Sequence, residues 1–392
     1  MKKCLLIAPV EAHATVGRIA AIASSGYELN LVDVSSNPLR FELNQYPFSL
    51  IKSYKYFGFD PKPKWQALYK ILNKLRCIGW IRESQKNVDR LALEIKRVKP
   101  DIVVTYYGPI GIQYAKIIKI IDANLPVVSI LNLIPSSLNY ERSISGRLLK
   151  RFNDELNNYR RTIQSLDHLI CASPEMMDYV SSKYGINLNK ISVLPDYFPK
   201  SMTFNALESE DELPGANLIF LGAPERWGGA LDDIDRQLFN LATSGVAIYS
   251  GRLDEYVMST NNAFCYPFFS DEEVFSGKLS NYAHKFKAAL ITYGIDIRHQ
   301  RFKTTLPTRF FSALSAGIPI VVRSGLFDAV ETYVENYQIG FCFENLQDLK
   351  LKLLDDELMN RYRRNIAKHC KSYAAESQGI EFQNIFNLLL SK

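Results

Sequence analysis

Residues 303–323 read KTTLPTRFFSALSAGIPIVVR, and the rest of the chain can be ordered around them. Thr304 and Thr305 offer capping hydroxyls, Pro307 suits the first helical position, and Phe310, Phe311 and Leu314 recur at helical spacing until Gly317 ends the helix. After Pro319 the apolar run 320–322 has the unbroken hydrophobicity of a parallel strand buried on both faces. A helix that starts at the mouth of such a sheet turns unpaired N–H groups and a positive dipole end outward, so phosphate is a natural occupant. The same pattern also occurs in α/β proteins where it does nothing but pack.

The chain has 392 residues, enough for two domains of nearly equal size, and a formal net charge of +6. Its six cysteines are scattered without a C-x-x-C pair, which suggests neither a zinc site nor a disulfide framework and fits a reduced, cytoplasmic setting. The apolar run 4–8 is too short for a secretory signal and reads as a first buried strand. No stretch approaches the roughly 20 apolar residues of a spanning helix, so any membrane contact is expected to be peripheral.

Residues 3–36 parse as strand, loop, helix, turn and strand, the first βαβ unit of an open sheet, with Gly26 ending the helix and a second strand over 29–34. The loop 9–18 lies at the carboxyl end of the first strand, where open α/β sheets hold ligands, which makes His13, Gly17 and Arg18 candidates. On its residues alone His13 also fits a solvated loop histidine. Further strands are expected over 102–105 and 127–131, and Ser173 before Pro174 is a good helix cap.

Residues 46–86 interleave aromatics with lysine and arginine, and Trp65, Leu68, Leu72 and Leu75 share a helical face. This basic amphipathic pattern suits an anionic membrane surface, or an ordinary helix covering the sheet. No recognised nucleic-acid module accompanies it. Residues 201–217 are polar, acidic and aperiodic, as a linker would be. A second βαβ unit follows, with strands over 218–221 and 246–249 and a further strand over 289–292 before the stretch 303–323. Asp233 and Asp235 fall within its helix, where side chains two apart diverge, so they are not read as a metal site.

The segment LPTRFFSALSAGIP, 306–319, resembles the C-terminal signature of two-domain GT-B glycosyltransferases, family 4 above all. KPDIVVTYY, 99–107, resembles that family's KPD followed by an apolar strand, and the run of helix, strand, capped helix and strand over 151–199 resembles the end of its first domain. The resemblance implies an α/β fold of two Rossmann-like domains facing across a cleft. It implies an acceptor-binding domain over 1–200, a linker over 201–217, a nucleotide-sugar-binding domain over 218–375 and a last helix over 376–392 packing back on the first domain.

The function so implied is transfer of a sugar from a nucleotide-sugar donor to a glycan or lipid-linked glycan acceptor in surface polysaccharide assembly. No metal and no cofactor is implied, since the donor is itself a substrate. The expected donor-binding residues are Gly17, Gly222, Arg226, Arg298, His299, Thr305, Leu306, Pro307, Thr308 and Arg309. Arg226 matches an arginine that neutralises the donor diphosphate in the family, and on its residues alone it also reads as a surface arginine. If configuration is inverted, His13 or Glu11 is the expected base; retention is the favoured outcome. Placement in the cytoplasm, at the inner face of the cell membrane, follows from a lipid-linked acceptor and from residues 46–86.

This chain departs from the family at two places. Thr304 and Ser312 stand where retaining members usually carry two glutamates, and SILN, 129–132, replaces a stretch where a histidine is common. A protein of the same fold that binds a nucleotide sugar or a partner enzyme without turnover is therefore the alternative.

Overall fold

A computed structural model describes residues 1–10, 13–35, 51–56, 85–134, 157, 159–205, 213–222, 231–293, 300–369 and 372–391. The chain divides into two compact α/β units: Met1–Asp196 with Ala375–Lys392, and Tyr197–Ala374.

In unit 1 the strands are β1 (Lys3–Ala8), β2 (Glu28–Asp33), β3 (Ile51–Tyr56), β4 (Ile102–Tyr106), β5 (Val127–Leu131), β6 (His168–Cys171) and β7 (Ile191–Val193). Their order across the sheet is β3-β2-β1-β4-β5-β6-β7, all parallel, with Leu6 opposite both Leu31 and Val104. Every residue of β4 and β5 is buried, as their continuous apolar sequence requires of strands covered on both faces. The helices are α1 (His13–Ala23), α2 (Gln85–Val98), α3 (Gly108–Ile121) and α4 (Pro174–Tyr184). Ser173 caps α4 as expected, accepting from the Met176 N–H at 3.1 Å.

One sequence expectation changes in this unit. The loop expected over 9–18 is shorter, because α1 already begins at His13. Gly17 and Arg18 therefore lie inside a helix, both buried. The small and apolar residues Ala14, Val16, Ile19 and Ala20 carry the helix back into that stretch, and Thr15 anchors its start by donating to the Pro9 carbonyl at 2.7 Å. Of the basic aromatic stretch, residues 51–56 form β3, an edge strand, and residues 85–86 open α2. Its Lys55 pairs with Glu94 of α2 and Tyr54 donates to Asp33 at 2.9 Å. The helical face expected around Trp65 lies outside the described residues.

Unit 2 contains β8 (Asn217–Phe220), α5 (Leu231–Thr243), β9 (Ala247–Ser250), β10 (Ala263–Cys265), β11 (Ala288–Ile291), α6 (Thr308–Ser315), β12 (Ile320–Arg323), α7 (Asp328–Tyr337), β13 (Gly340–Phe343), α8 (Leu346–Leu354) and α9 (Asp356–His369). Its sheet is again parallel, in the order β10-β9-β8-β11-β12-β13. The stretch 303–323 folds as its spacing predicts, except that Pro307 is the cap residue, Thr308 is the first helical one, and no hydroxyl of Thr304 or Thr305 caps the helix. Gly317, at φ 67°, makes the turn into β12.

The last helix, α10 (Gly379–Leu390), belongs to unit 1. There Tyr27 donates to Asn387 at 2.9 Å and packs edge-on against Phe386 with ring centroids 5.0 Å apart. Among the described residues no helix is long and apolar enough to cross a membrane.

Candidate functional site

The order of the second sheet reverses between β8 and β11, and open α/β sheets take ligands at the carboxyl ends of the strands flanking such a point. β8 leads there into Leu221 and Gly222, and β11 leads into Thr292 and Tyr293. The start of α6 arrives at the same place through Arg309. This side chain is only 7% exposed; its guanidinium lies 4.2 Å from the centre of the Phe220 ring and 4.5 Å from that of Tyr293. One of its N–H groups donates to the Thr292 carbonyl at 3.1 Å. A planar cation between two rings is held by their faces as well as by that bond. Among the described residues no carboxylate pairs with Arg309.

The neighbouring loops are tied together by one backbone position. The Gly222 N–H donates to the Tyr266 hydroxyl at 2.8 Å, and the Gly222 carbonyl accepts from the Gly251 N–H at 2.9 Å and from Ser250 at 3.3 Å. The turns after β8, β9 and β10 thus share one network. A methyl group on Gly251 would come within 2.9 Å of the Gly222 carbonyl, so the approach needs glycine there. Burial pushes the Tyr266 phenol above its ordinary value, while the Gly222 amide and the positive charge of Arg309 pull the other way. Gln237 of α5 fastens the far side, accepting from Thr292 at 2.7 Å.

Of the expected donor-binding residues, the structure brings Gly222, Leu306, Pro307, Thr308 and Arg309 into unit 2, around this point and the start of α6. Thr305 and Leu306 are buried in the approach to the helix, whereas Thr308 is exposed at its first turn. Among the described residues no side chain caps the N-terminus of α6; the Phe310 N–H donates to the Pro307 carbonyl at 2.8 Å, which leaves the Thr308 and Arg309 amides for a ligand or for water. Gly17 lies in α1 of unit 1. His13 opens α1 at the carboxyl end of β1. Glu11, Arg226, Arg298 and His299 lie outside the described residues.

Sequence reasoning missed Tyr266, Ser250, Gly251 and Gln237. The signal for the first three was positional, since each lies at or just after the carboxyl end of a strand on the same sheet. A cavity of about 270 Å³ adjoins this network through Gln237 and Thr292 and is lined also by Asn240, Arg323, Phe343 and Asn345; it does not include Arg309 or Gly222.

Two doubly wound parallel sheets define a protein of the GT-B type. The model of Glycosyltransferase Family 4 matches residues 78–196, the second half of unit 1. No curated protein matches the chain by sequence. Among solved structures, the fold is similar over nearly its whole length to a glycosyltransferase from Rickettsia africae ESF-5, at 15% identity and a TM-score of 0.59, covering 100% of this chain and 99% of that one. It is also similar to Anabaena Alr3699/HepE in complex with UDP and glucose, at 12% identity and a TM-score of 0.63, covering 97% and 98%. Os79 from O. sativa in complex with UDP matches at 13% identity and a TM-score of 0.54, covering 98% and 100%. At these identities the likeness shows the GT-B fold, and the resemblance to family 4 is carried by residues 78–196.

Proposed function

We propose that this protein is a glycosyltransferase that moves a sugar from a nucleotide-sugar donor to a glycan or lipid-linked glycan acceptor. The observation that carries the proposal is the buried Arg309, which has no carboxylate partner among the described residues, set beside the start of α6 at the reversal of the second sheet. Such a cation and such a helix end suit the diphosphate of a donor. Fold relatives that hold UDP support the same ligand class.

In the reaction the bond between the anomeric carbon and the diphosphate oxygen breaks, and a bond from that carbon to the acceptor oxygen forms. Negative charge grows on the departing diphosphate, where Arg309, the α6 amides and Arg226 stabilise it without a metal. Under retention, the favoured course, the acceptor proton passes to the departing phosphate. Under inversion it passes to His13 or Glu11. Arg298 and His299 are proposed to contact the donor. Surface polysaccharide assembly, and peripheral contact of residues 46–86 with an anionic membrane, complete this reading.

The test is a thermal-shift screen against UDP, GDP, TDP and CMP and their sugars, since a ligand bound only by the folded chain raises its melting temperature. A shift with one nucleotide, followed by slow hydrolysis of its sugar, supports the transferase; the absence of any shift and any turnover ends it. Thr304 and Ser312, in place of two glutamates, favour one other reading. Saturable nucleotide binding without turnover for any acceptor would mark a binding protein.

A further inference from the structure

The first sheet reverses its order between β1 and β4, and α3, a helix of 14 residues, begins at the carboxyl end of β4. No side chain caps that start. Pro109 lies in the first turn and brings no N–H of its own. The turn into the helix is left-handed at two successive residues, Tyr107 at φ 90° and Gly108 at φ 54°. Gly111, three residues on, lets the helix begin close against its strand, since a methyl group there would lie 3.0–3.1 Å from the Tyr106 backbone. The two glycines are spaced as the last two of a dinucleotide fingerprint. Gly111 packs helix on strand, and Gly108 lies against the segment after β5, where a Cβ would come 3.3 Å from the Leu133 carbonyl oxygen.

A second observation points to what that ligand carries. Asn132 follows β5 and is only 8% exposed. Its side-chain oxygen is shut off from solvent and has no hydrogen-bond partner among the described residues. That oxygen faces the turn, 3.4 Å from the position a Cβ on Gly108 would take. A buried amide oxygen left without a donor is costly, and a ligand hydroxyl would satisfy it. The start of α3 beside it favours negative charge.

We propose that the β4–α3 turn and Asn132 form a binding site in unit 1 for an anionic sugar, one that carries a carboxylate or a phosphate next to a hydroxyl. The charged group sits on the free amides at the start of α3, and the hydroxyl donates to Asn132 Oδ1. Read as the acceptor subsite, this rests on the transferase function proposed above; read as an anion site, it stands without it.

The experiment is calorimetric titration of the full chain at low salt with glucuronate, glucose 6-phosphate and glucose, with UDP titrated into the same samples. Glucuronate or glucose 6-phosphate is expected to bind about tenfold or more tightly than glucose, and the stronger of the two identifies the anion. Asn132→Asp places a negative charge in the site and is expected to weaken that binding by about tenfold or more while leaving UDP binding unchanged. If Asn132→Asp fails to fold, Asn132→Ala, which removes the acceptor without adding charge, is expected to weaken the same binding severalfold. Anionic sugars that bind no better than glucose, or binding unchanged in both variants, overturn the site. UDP binding and donor hydrolysis with no anionic-sugar binding would remove this site alone; anionic-sugar binding lost in Asn132→Asp, in a chain that ignores every nucleotide, would keep the site and remove the transferase reading.

Discussion

Arg18 and Asp196, 178 residues apart in the chain, are joined inside unit 1 by a bond of 2.6 Å from Nε to Oδ1, with side chains 1% and 3% exposed. The same guanidinium donates to the Leu194 carbonyl at 2.5 Å and to Gln378 at 3.1 Å, and Gln378 donates in turn to the Pro195 carbonyl at 2.9 Å. One side chain of α1 thus holds both the segment where the chain leaves unit 1 and the segment where it returns. Burial pushes the Asp196 carboxyl up, and Arg18 offsets part of that. Arg18, a ligand candidate by its place after β1, is therefore an internal structural residue.

Arg18→Met leaves a buried carboxylate and two carbonyl acceptors without their donor. It is expected to lower the opening free energy of α1 by about 3–5 kcal/mol, read by hydrogen exchange of its amides. Arg18→Met with Asp196→Leu is expected to recover much of the loss, because an apolar pair in place of a buried ion pair is often neutral. Unchanged exchange in Arg18→Met would show that the pair does not hold these segments.

Arg309→Lys separates a donor contact from a packing role. Lysine keeps the charge but loses the flat guanidinium that fits between Phe220 and Tyr293. Nucleotide affinity is expected to fall by about tenfold or more, as suits a lost charge-assisted pair of bonds to a diphosphate. A lower melting temperature with unchanged nucleotide affinity would leave Arg309 as a core residue and withdraw it from the donor site.

Sequence legibility followed the range of the interactions. The turn at Gly317, the strand β12 and the cap at Ser173 are set by neighbours a few residues away, so their pattern could be read directly. The role of Arg18 could not, because its partners lie at 194, 196 and 378. β3 was hidden for a different reason. Interleaved lysines and aromatics read as an amphipathic surface and do not mark a strand, and the partners of Lys55 and Tyr54, Glu94 and Asp33, lie on other elements. Tyr266 escaped because only the sheet order brings the end of β10 next to Gly222.

Gly340 is a site where packing, not conformation, demands glycine. It pairs with Ile320 across β12 and β13, and a methyl group on it would lie 1.9 Å from the Ile320 carbonyl oxygen. Backbone cannot give way as a flexible side chain can. Gly340→Ala is expected to cost about 3 kcal/mol or more and to lower the melting temperature of unit 2, with exchange in α1 of unit 1 unchanged. A variant as stable as the parent would mean that β13 can shift along β12 at little cost.

Glu94 gives the acid response of unit 1 a specific origin. Its carboxylate is 8% exposed, and burial alone would raise its pKa. Hydrogen bonds from Lys55 and Arg97, with their charges, outweigh burial and hold it below the ordinary value of 4.5. A carboxylate depressed on folding contributes stability that is complete above its unfolded pKa and is lost as pH falls through the folded one. The attachment of β3 to α2 should therefore weaken only below about pH 4.5. Glu94→Gln removes the titrating group, so the drop in stability between pH 6 and about pH 3.5 is expected to shrink, by less than about 1 kcal/mol for each half-exposed partner. Urea unfolding of both proteins at the two pH values measures it. An equal drop in the variant would assign the acid response to other carboxylates, and the buried Asp196 is not among them, since a carboxyl raised on folding loses its contribution as pH rises rather than as it falls.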